Sequence, residues 1–314
     1  MIMVHLQSNS YGKQRVRLTK VLRGKAPDGS PLHEVQEYTV QIMLHGDFEA
    51  IYTHGDNANC GPTDTMKNTV YAIARQTSFD SPEHFGLALT SRFIDHFPQV
   101  HAADVQIEMS RWRRIEVEGQ AHPFAFMKQH GQRTAAVTRR RTEGPSDLSV
   151  AGGVSGLEVF KSSGSAFGGF FRDEFTTLPD TDERILATTV DAVWNYLHTP
   201  GLAAGEIAFN EAWDTSYQAI TEVFATHNSP SLQATLFVMG EEMLKRTPTI
   251  SDVSFTMPNQ HHILFDLTPF ELDNPDQIYY GTDSPFGIIT GTVARGAQPG
   301  TTTSTASAST VARQ

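Results

Sequence analysis

The chain makes little use of cysteine. Cys60 is the only one in 314 residues, which excludes an internal disulfide and a zinc site built from several cysteines. The chain also lacks the roughly 18 consecutive apolar residues of a membrane-spanning helix, and its start lacks the charged and apolar blocks of a secretory signal. We therefore expect a cytoplasmic protein with no membrane segment.

Basic residues are in deficit. The chain carries 24 Lys and Arg against 35 Asp and Glu, a formal net charge of -11. Such a charge repels a phosphate backbone, so the composition argues against a nucleic-acid partner. The basic run "TRRRTEG" at 138–144 is interpreted as the solvated end of a strand rather than as a binding patch.

Several motifs of common enzymes are missing. There is no H-E-x-x-H, no G-x-G-x-x-G after a strand and no G-x-S-x-G. The glycine-rich "SSGSAFGGFF" at 162–171 is followed by aromatic residues and not by Lys-Ser/Thr, so it does not predict a phosphate loop. Its Phe167 either belongs to the core or stacks on a flat ligand that passes close to the glycines.

The first half of the chain predicts a strand-strand-helix-helix-strand-strand unit. Residues 11–24 and 33–48 alternate like strands around the turn "APDGSP". Helical spacing follows at 63–76 and at 81–97, where Ser81 can cap and Pro82 fits the first turn. Alternation returns at 103–119 and 122–129.

The second half repeats this order. Extended stretches near 131–142, 154–162 and 184–196 precede helices at 210–227 and 229–246, and strands follow near 250–257, 259–268 and 286–295. A Ser-Pro pair at 81–82 and another at 229–230 suggest a duplication. Everything after Arg295 is small and polar, so we expect a disordered tail.

The stretch "FTMPNQHHILFDLTPF" at 255–270 sets two histidines side by side. Strand alternation puts Asn259 and His261 on one face and His262 on the other. The two histidines therefore cannot chelate one ion together. His261 is either an ordinary strand histidine or, with Asn259, part of a polar site.

Two predicted helix starts carry polar residues. Thr63 and Asp64 either cap backbone N–H groups or serve a site. Leu232 and Gln233 lie in the first turn after Ser229-Pro230, where free N–H groups and the helix dipole favour an anion. Gln233 is either an exposed helix glutamine or a ligand-reading amide.

Four ordered stretches together resemble the urate oxidase (uricase) family: "YGKQRVRLTKV", "GDNANCGPTDTMKNTVY", the segment from "LEVFKSSG" to "VDAVW", and "MPNQHHILFDLTPF". The resemblance covers about residues 11–295. It implies an α+β tunnelling fold (T-fold): tandem repeats of antiparallel sheet backed by helices, assembled into a homotetrameric barrel. The implied divisions are an extension at 1–10, repeats at 11–145 and 146–295, and a tail at 296–314.

The resemblance also implies the chemistry. Family members oxidise urate with O₂ and water to 5-hydroxyisourate and hydrogen peroxide, the first step from urate to allantoin in purine catabolism. They use neither metal nor organic cofactor. Their active sites form between subunits, so a monomer should be inactive.

Site residues carry over position by position. The implied catalytic residues are Lys13, which draws a proton through Thr63, and His261, which tunes this relay. The aromatic that stacks on urate matches Phe167, and the arginine that clamps its carbonyl oxygen matches Arg184. The implied substrate-binding set is Thr63, Asp64, Phe167, Arg184, Leu232, Gln233 and Asn259, with Asn259 facing O₂ and Leu232 offering its backbone N–H.

One stretch departs from the family. Where relatives have an apolar segment before the Thr-Asp pair, this chain reads "NANCGP" at 57–62. Two other functions stay open from the residues alone. One is a zinc-dependent purine or pterin cyclohydrolase of the same fold, which would need converging His and Cys ligands; the other is a ligand-binding module without activity.

Overall fold

A computed structural model describes residues 3–141 and 148–296. The described chain forms one antiparallel sheet of eight strands in sequence order, β1 to β8, and helices pack against it. The strands are β1 (Tyr11–Lys25), β2 (Pro31–Gly46), β3 (Val100–Val117), β4 (Gln120–Arg140), β5 (Leu148–Lys161), β6 (Leu186–Tyr196), β7 (Ile250–Leu264) and β8 (Tyr279–Ala294). The helices are α1 (Glu49–Thr53), α2 (Thr63–Gln76), α3 (Pro82–His96), α4 (Pro200–Ala204), α5 (Phe209–Thr226) and α6 (Leu232–Arg246). The predicted α+β class is thereby confirmed.

The helices cover one face of the sheet because each strand turns alternate apolar residues toward them. In β2, for example, Tyr38, Val40, Ile42 and Leu44 are all fully buried. Helices α2 and α3 pack on the early strands, whereas α5 and α6 pack on the later ones. No helix within residues 3–141 and 148–296 is long and apolar enough to cross a membrane.

The two halves share details that the sequence pattern did not reveal. Ser81 caps α3 and Ser231 caps α6, each accepting a bond from the backbone N–H three residues on. Arg141 donates to the carbonyl groups at the end of α3, and Arg295 does the same at the end of α6. The equivalent serines are therefore 81 and 231, so the predicted Ser-Pro correspondence was displaced by two residues.

Several predicted boundaries were wrong. The stretches 122–129 and 131–142 belong to one strand, β4, and the pairing with β3 shifts near Gly131, which has a φ of 74°. The stretches 250–257 and 259–268 likewise belong to one strand, β7, because Pro258 does not interrupt its pairing with β8. The strands β5 and β8 begin earlier than predicted, and α1 and α4 were missed.

The described part of the basic run, residues 138–141, is only partly a solvated strand end, and residues 142–144 lie outside the described residues. Arg139 is half-buried, and burial lowers the pKa of its guanidinium. Arg141 is exposed, yet its guanidinium also bonds to the carbonyl of Val100. The predicted repeat boundary near 145 and the predicted tail beyond Gly296 lie outside the described residues.

Candidate active site

The first group of candidate residues lies where β1 begins. Lys13 is the third residue of β1, and Thr63 and Asp64 are the first two residues of α2, which packs on β1. Asp64 accepts bonds from Lys67 (2.5 Å) and Asn68 (2.9 Å). These bonds and the nearby charge of Lys13 lower the pKa of the exposed Asp64 carboxyl. Lys13 and the start of α2 are thus neighbours.

Thr63 and Asp64 do not cap α2. The cap position is Pro62, and no side chain makes a capping bond there. The alternative that these two residues serve only as helix caps is therefore wrong. Thr63 is partly exposed at the first helical position, which leaves its hydroxyl accessible beside the Lys13 strand.

The second group is organised by the loop between β5 and β6. Ser165 forms a parallel bridge with Ser229, and Phe167 forms an antiparallel bridge with Thr181. The backbone N–H of Arg184 donates to the carbonyl of Ser165 (2.8 Å). Three separate segments are therefore joined, which fixes Phe167 and Arg184 relative to the residues that precede α6.

Arg184 carries an unpaired positive charge. Its Cζ lies 5.2 Å from the centroid of the Phe167 ring, and its Nε donates to the Ser165 hydroxyl (3.3 Å). No carboxylate of residues 3–141 or 148–296 pairs with it. Burial lowers the pKa of this guanidinium, but an arginine remains protonated at neutral pH. A half-buried cation without an acidic partner is suited to bind an anion.

Phe167 is half-buried rather than a core residue. The ring of Phe170 stacks on it, with centroids 5.0 Å apart and an interplanar angle of 16°. Of the two alternatives for Phe167, the structure favours an accessible aromatic over core packing. A flat ligand can extend this stack, since aromatic rings pack offset face to face.

The start of α6 adds hydrogen-bond donors beside this loop. The hydroxyl of Ser231 accepts from the N–H of Ala234, which leaves the N–H groups of Leu232 and Gln233 without intrahelical partners. The Gln233 side chain is exposed, whereas Leu232 is buried. The start of α6 thus combines free backbone N–H donors, the positive end of the helix dipole and the Gln233 side-chain amide.

Asn259 and His261 lie on the face of β7 that the helices cover. Asn259 is paired with Thr188, a fully buried residue of β6. His262, by contrast, contacts Phe160 edge-on at 5.2 Å, on the uncovered face. The predicted alternation is consistent with these contacts, and neither the Asn259 nor the His261 side chain has a hydrogen-bond partner within the described residues.

Helix α6 runs toward Asn259. An added Cβ at Gly240 would meet Val293, and one at Gly291 would meet Leu236. Val293 pairs with Val253, and Gly291 pairs with Phe255. One helical turn from Gly240 back to Leu236 therefore corresponds to two residues along β7, from Val253 to Phe255. One further turn places Leu232 over Met257, next to Asn259.

The two groups are far apart in one chain. Lys13 is on β1, at one edge of the sheet, whereas Asn259 is on β7, six strand spacings away. At about 4.8 Å per spacing this is roughly 29 Å along the sheet. Strands β1 and β8 do not pair with each other within the described residues. Along the sheet of one chain, the two groups are therefore six strands apart.

No cluster of three or more His, Cys, Asp or Glu side chains that could hold a metal ion occurs in the described part of the chain. The sequence motifs did identify the residue types of both groups. They did not predict that Ser165 and Ser229 form a bridge that holds the second group together, because the two residues are distant in the sequence.

Fold and site together define an α+β protein whose candidate site combines a guanidinium, an aromatic ring and the N–H groups at the start of α6. Comparison with known proteins makes this class specific. The sequence profile of the family described as "Uricase" matches residues 9–138 and 150–290. The chain is 39% identical over 292 residues to the uricase of Arthrobacter globiformis, covering 93% of this chain and 90% of that protein. It is 36% identical over 293 residues to the uricase of Aspergillus flavus, covering 91% and 95%.

Solved structures agree with the sequence comparison. The crystal structure of uricase from Arthrobacter globiformis superposes with a TM-score of 0.85 at 37% identity, covering 97% of this chain and 98% of that one. The chain belongs to the uricase family.

Proposed function

We propose that the protein oxidises urate with O₂ and water to 5-hydroxyisourate and hydrogen peroxide, the first step from urate to allantoin in purine catabolism. The observation that carries this proposal is Arg184, a half-buried guanidinium that lies over Phe167 and has no carboxylate partner in the described residues. Urate is a flat purine anion at neutral pH. The family membership supports the same substrate.

The second group binds urate in this proposal. The guanidinium of Arg184 donates two parallel hydrogen bonds to the carbonyl oxygen of the anion. The Gln233 amide and the Leu232 N–H pair with neighbouring edge atoms, because an amide both donates and accepts. Phe167 stacks on the purine in this proposal. These contacts fix the ring in its plane and orient it for reaction.

The first group removes a proton. Deprotonated urate is electron-rich enough to reduce O₂ directly, provided that its second proton is removed away from bulk water. In our proposal Lys13 draws this proton through the Thr63 hydroxyl, His261 tunes the relay, and Asn259 faces O₂. Asp64 lies beside Thr63 in the substrate-binding set. The proximity of Lys13 to the start of α2 supports this assignment. Neither a metal nor an organic cofactor is part of the proposal.

Assembly completes the site. Because the two groups lie near opposite edges of an open sheet, one urate must be held by the second group of one chain and the first group of a neighbour. The unpaired edges of β1 and β8 offer backbone donors and acceptors for such an assembly. We infer a homotetramer with active sites between subunits, in the cytoplasm, which the single cysteine favours.

Mixed oligomers test the shared site. Lys13→Met and Arg184→Ala should each be inactive alone. When the two variants are coexpressed, about a quarter of the sites in randomly mixed oligomers combine an intact Lys13 with an intact Arg184. We expect that share of the parental turnover. Oligomers that contain both chains and remain inactive would show that each site belongs to one chain.

A further inference from the structure

The first residue of β1, Tyr11, is bonded to the loop that leads into α2. Its hydroxyl donates to the carbonyl of Gly61 (3.0 Å) and accepts from the N–H of the same residue (2.8 Å). Tyr11 is two residues before Lys13, and Gly61 is two residues before Thr63. One hydroxyl therefore joins the short segments that carry the two proposed relay residues.

The pair of hydrogen bonds between Tyr11 and Gly61, called the clamp below, is tightly packed. The Tyr11 ring contacts the fully buried Phe48 edge-on, with centroids 4.7 Å apart. Gly61 is buried, and an added Cβ there would lie 3.1 Å from Phe97 and 3.5 Å from the Tyr11 hydroxyl. A side chain at Gly61 would therefore crowd Phe97, whereas its distance from the Tyr11 hydroxyl would be an ordinary van der Waals contact.

The loop before α2 is also held through Asn59, whose side chain donates to the Asp47 carbonyl and whose carbonyl accepts from Gln99, but neither bond involves β1. No side chain caps the helix. The β1 strand is itself irregular here, because its pairing with β2 shifts between Lys13 and Val16, and Arg15 has a φ of 56°. A relay across two irregular segments needs a contact that holds them together, and the Tyr11 hydroxyl supplies it.

The hydroxyl stays protonated under working conditions. Burial, followed by the neighbouring Cys60, raises the pKa of Tyr11 to about 12. The group can therefore donate to the Gly61 carbonyl across the neutral range and still accept from the Gly61 N–H.

We propose that Tyr11 is a positioning residue that sets the distance between the Lys13 amine and the Thr63 hydroxyl. This inference rests on the relay proposed above. The "NANCGP" segment contributes to this contact through the backbone of Gly61.

The Tyr11→Phe variant tests the inference because it removes the hydroxyl and keeps the ring on Phe48. Misplaced relay groups should lower kcat between about 10- and 100-fold, with a smaller change in KM, since most of the proposed urate-binding residues lie in the second group. Full activity of Tyr11→Phe, or an equal effect on kcat and KM, would overturn the inference.

Tyr71→Phe is the matched control. The Tyr71 hydroxyl donates to the carbonyl of Arg17 (2.9 Å), so it joins the same helix and strand farther from the relay. We expect its kcat within about twofold of the parent. An equal loss in both variants would mean that α2 is generally loosened and would contradict a specific role for Tyr11.

Hydrogen exchange of the parent protein tests the clamp without any variant. The Gly61 N–H should exchange slowly because it donates to Tyr11, and exchange at the rate of an open loop would refute the clamp. An inactive parent, by contrast, would refute the proposed function, whereas an active parent with a fully active Tyr11→Phe variant would refute only the positioning role.

Discussion

Replacement of Arg184 by lysine isolates the contribution of its planar fork. Lysine keeps the positive charge but loses the second parallel donor and the flat contact with Phe167. The lost charge-assisted hydrogen bond accounts for about 1.5–3 kcal/mol, and the lost contact with the ring for about 0.5–1 kcal/mol. The sum of about 2–4 kcal/mol predicts a decrease in kcat/KM of roughly 30- to 900-fold.

The assay is urate consumption under kcat/KM conditions, with the oligomeric state checked in parallel. Arg172→Lys is the matched control in the same loop. The guanidinium of Arg172 lies 4.5 Å from the Phe170 centroid, but it is paired with Asp180 (3.1 Å). We expect the kcat/KM of Arg172→Lys to lie within about twofold of the parent value. An Arg184→Lys enzyme whose kcat/KM is within about threefold of the parent value would refute a role for the two parallel donors of Arg184.

Three further predictions concern the relay, the packing of α6 and acid stability. Lys13→Met should keep its oligomeric state and lose turnover, measured by urate loss, because no base then draws the proton. Gly240→Ala should lower stability by about 1–3 kcal/mol in denaturant titration, because the new methyl would lie 2.5 Å from Val293. Burial alone would raise the pKa of Asp104, but its bond with His45 (2.7 Å) and others lower it. The stability advantage of the parent over Asp104→Asn should therefore be full above about pH 4 and shrink as the pH falls further.

Each of these predictions has an outcome that contradicts it. Near-normal turnover of an oligomeric Lys13→Met enzyme would remove Lys13 from the relay. Gly201→Ala is the control for Gly240, because its added Cβ would come no closer than 3.4 Å to any neighbour. Helix propensity alone favours alanine over glycine, so an unchanged Gly240→Ala variant, or equal losses in both variants, would contradict the clash. A stability gap for Asp104→Asn that stays constant down to pH 2 would refute the role of its charge.

Local signals predicted the helices well. The predicted helix at 63–76 coincides with α2, and the one at 81–97 nearly coincides with α3 (Pro82–His96). The apolar spacing of both segments and the Ser81 cap of the second are local features, so they can be recognised without knowledge of the rest of the chain. The strands were harder to delimit, because Gly131 and Pro258 suggest breaks although each lies within a continuous strand.

The sequence could identify the candidate residues, but it could not show that they lie in two separate groups. Strand alternation placed Asn259 and His261 together, and helix starts singled out Thr63 and Gln233. The separation of Thr63 from Gln233 and Asn259, near opposite edges of the sheet, depends on strand order, which no local pattern encodes. The Ser165–Ser229 bridge and the Tyr11–Gly61 bonds likewise join residues that are distant in the sequence.

The most direct test of the account is the reaction itself. Purified, chelator-treated protein is given urate in air-saturated buffer, and the loss of urate absorbance is followed together with O₂ uptake and peroxide release. The account predicts one O₂ consumed and one hydrogen peroxide released for each urate, with no added metal or cofactor. Folded, oligomeric protein that leaves urate unchanged, or that turns it over only after zinc is added, would contradict it.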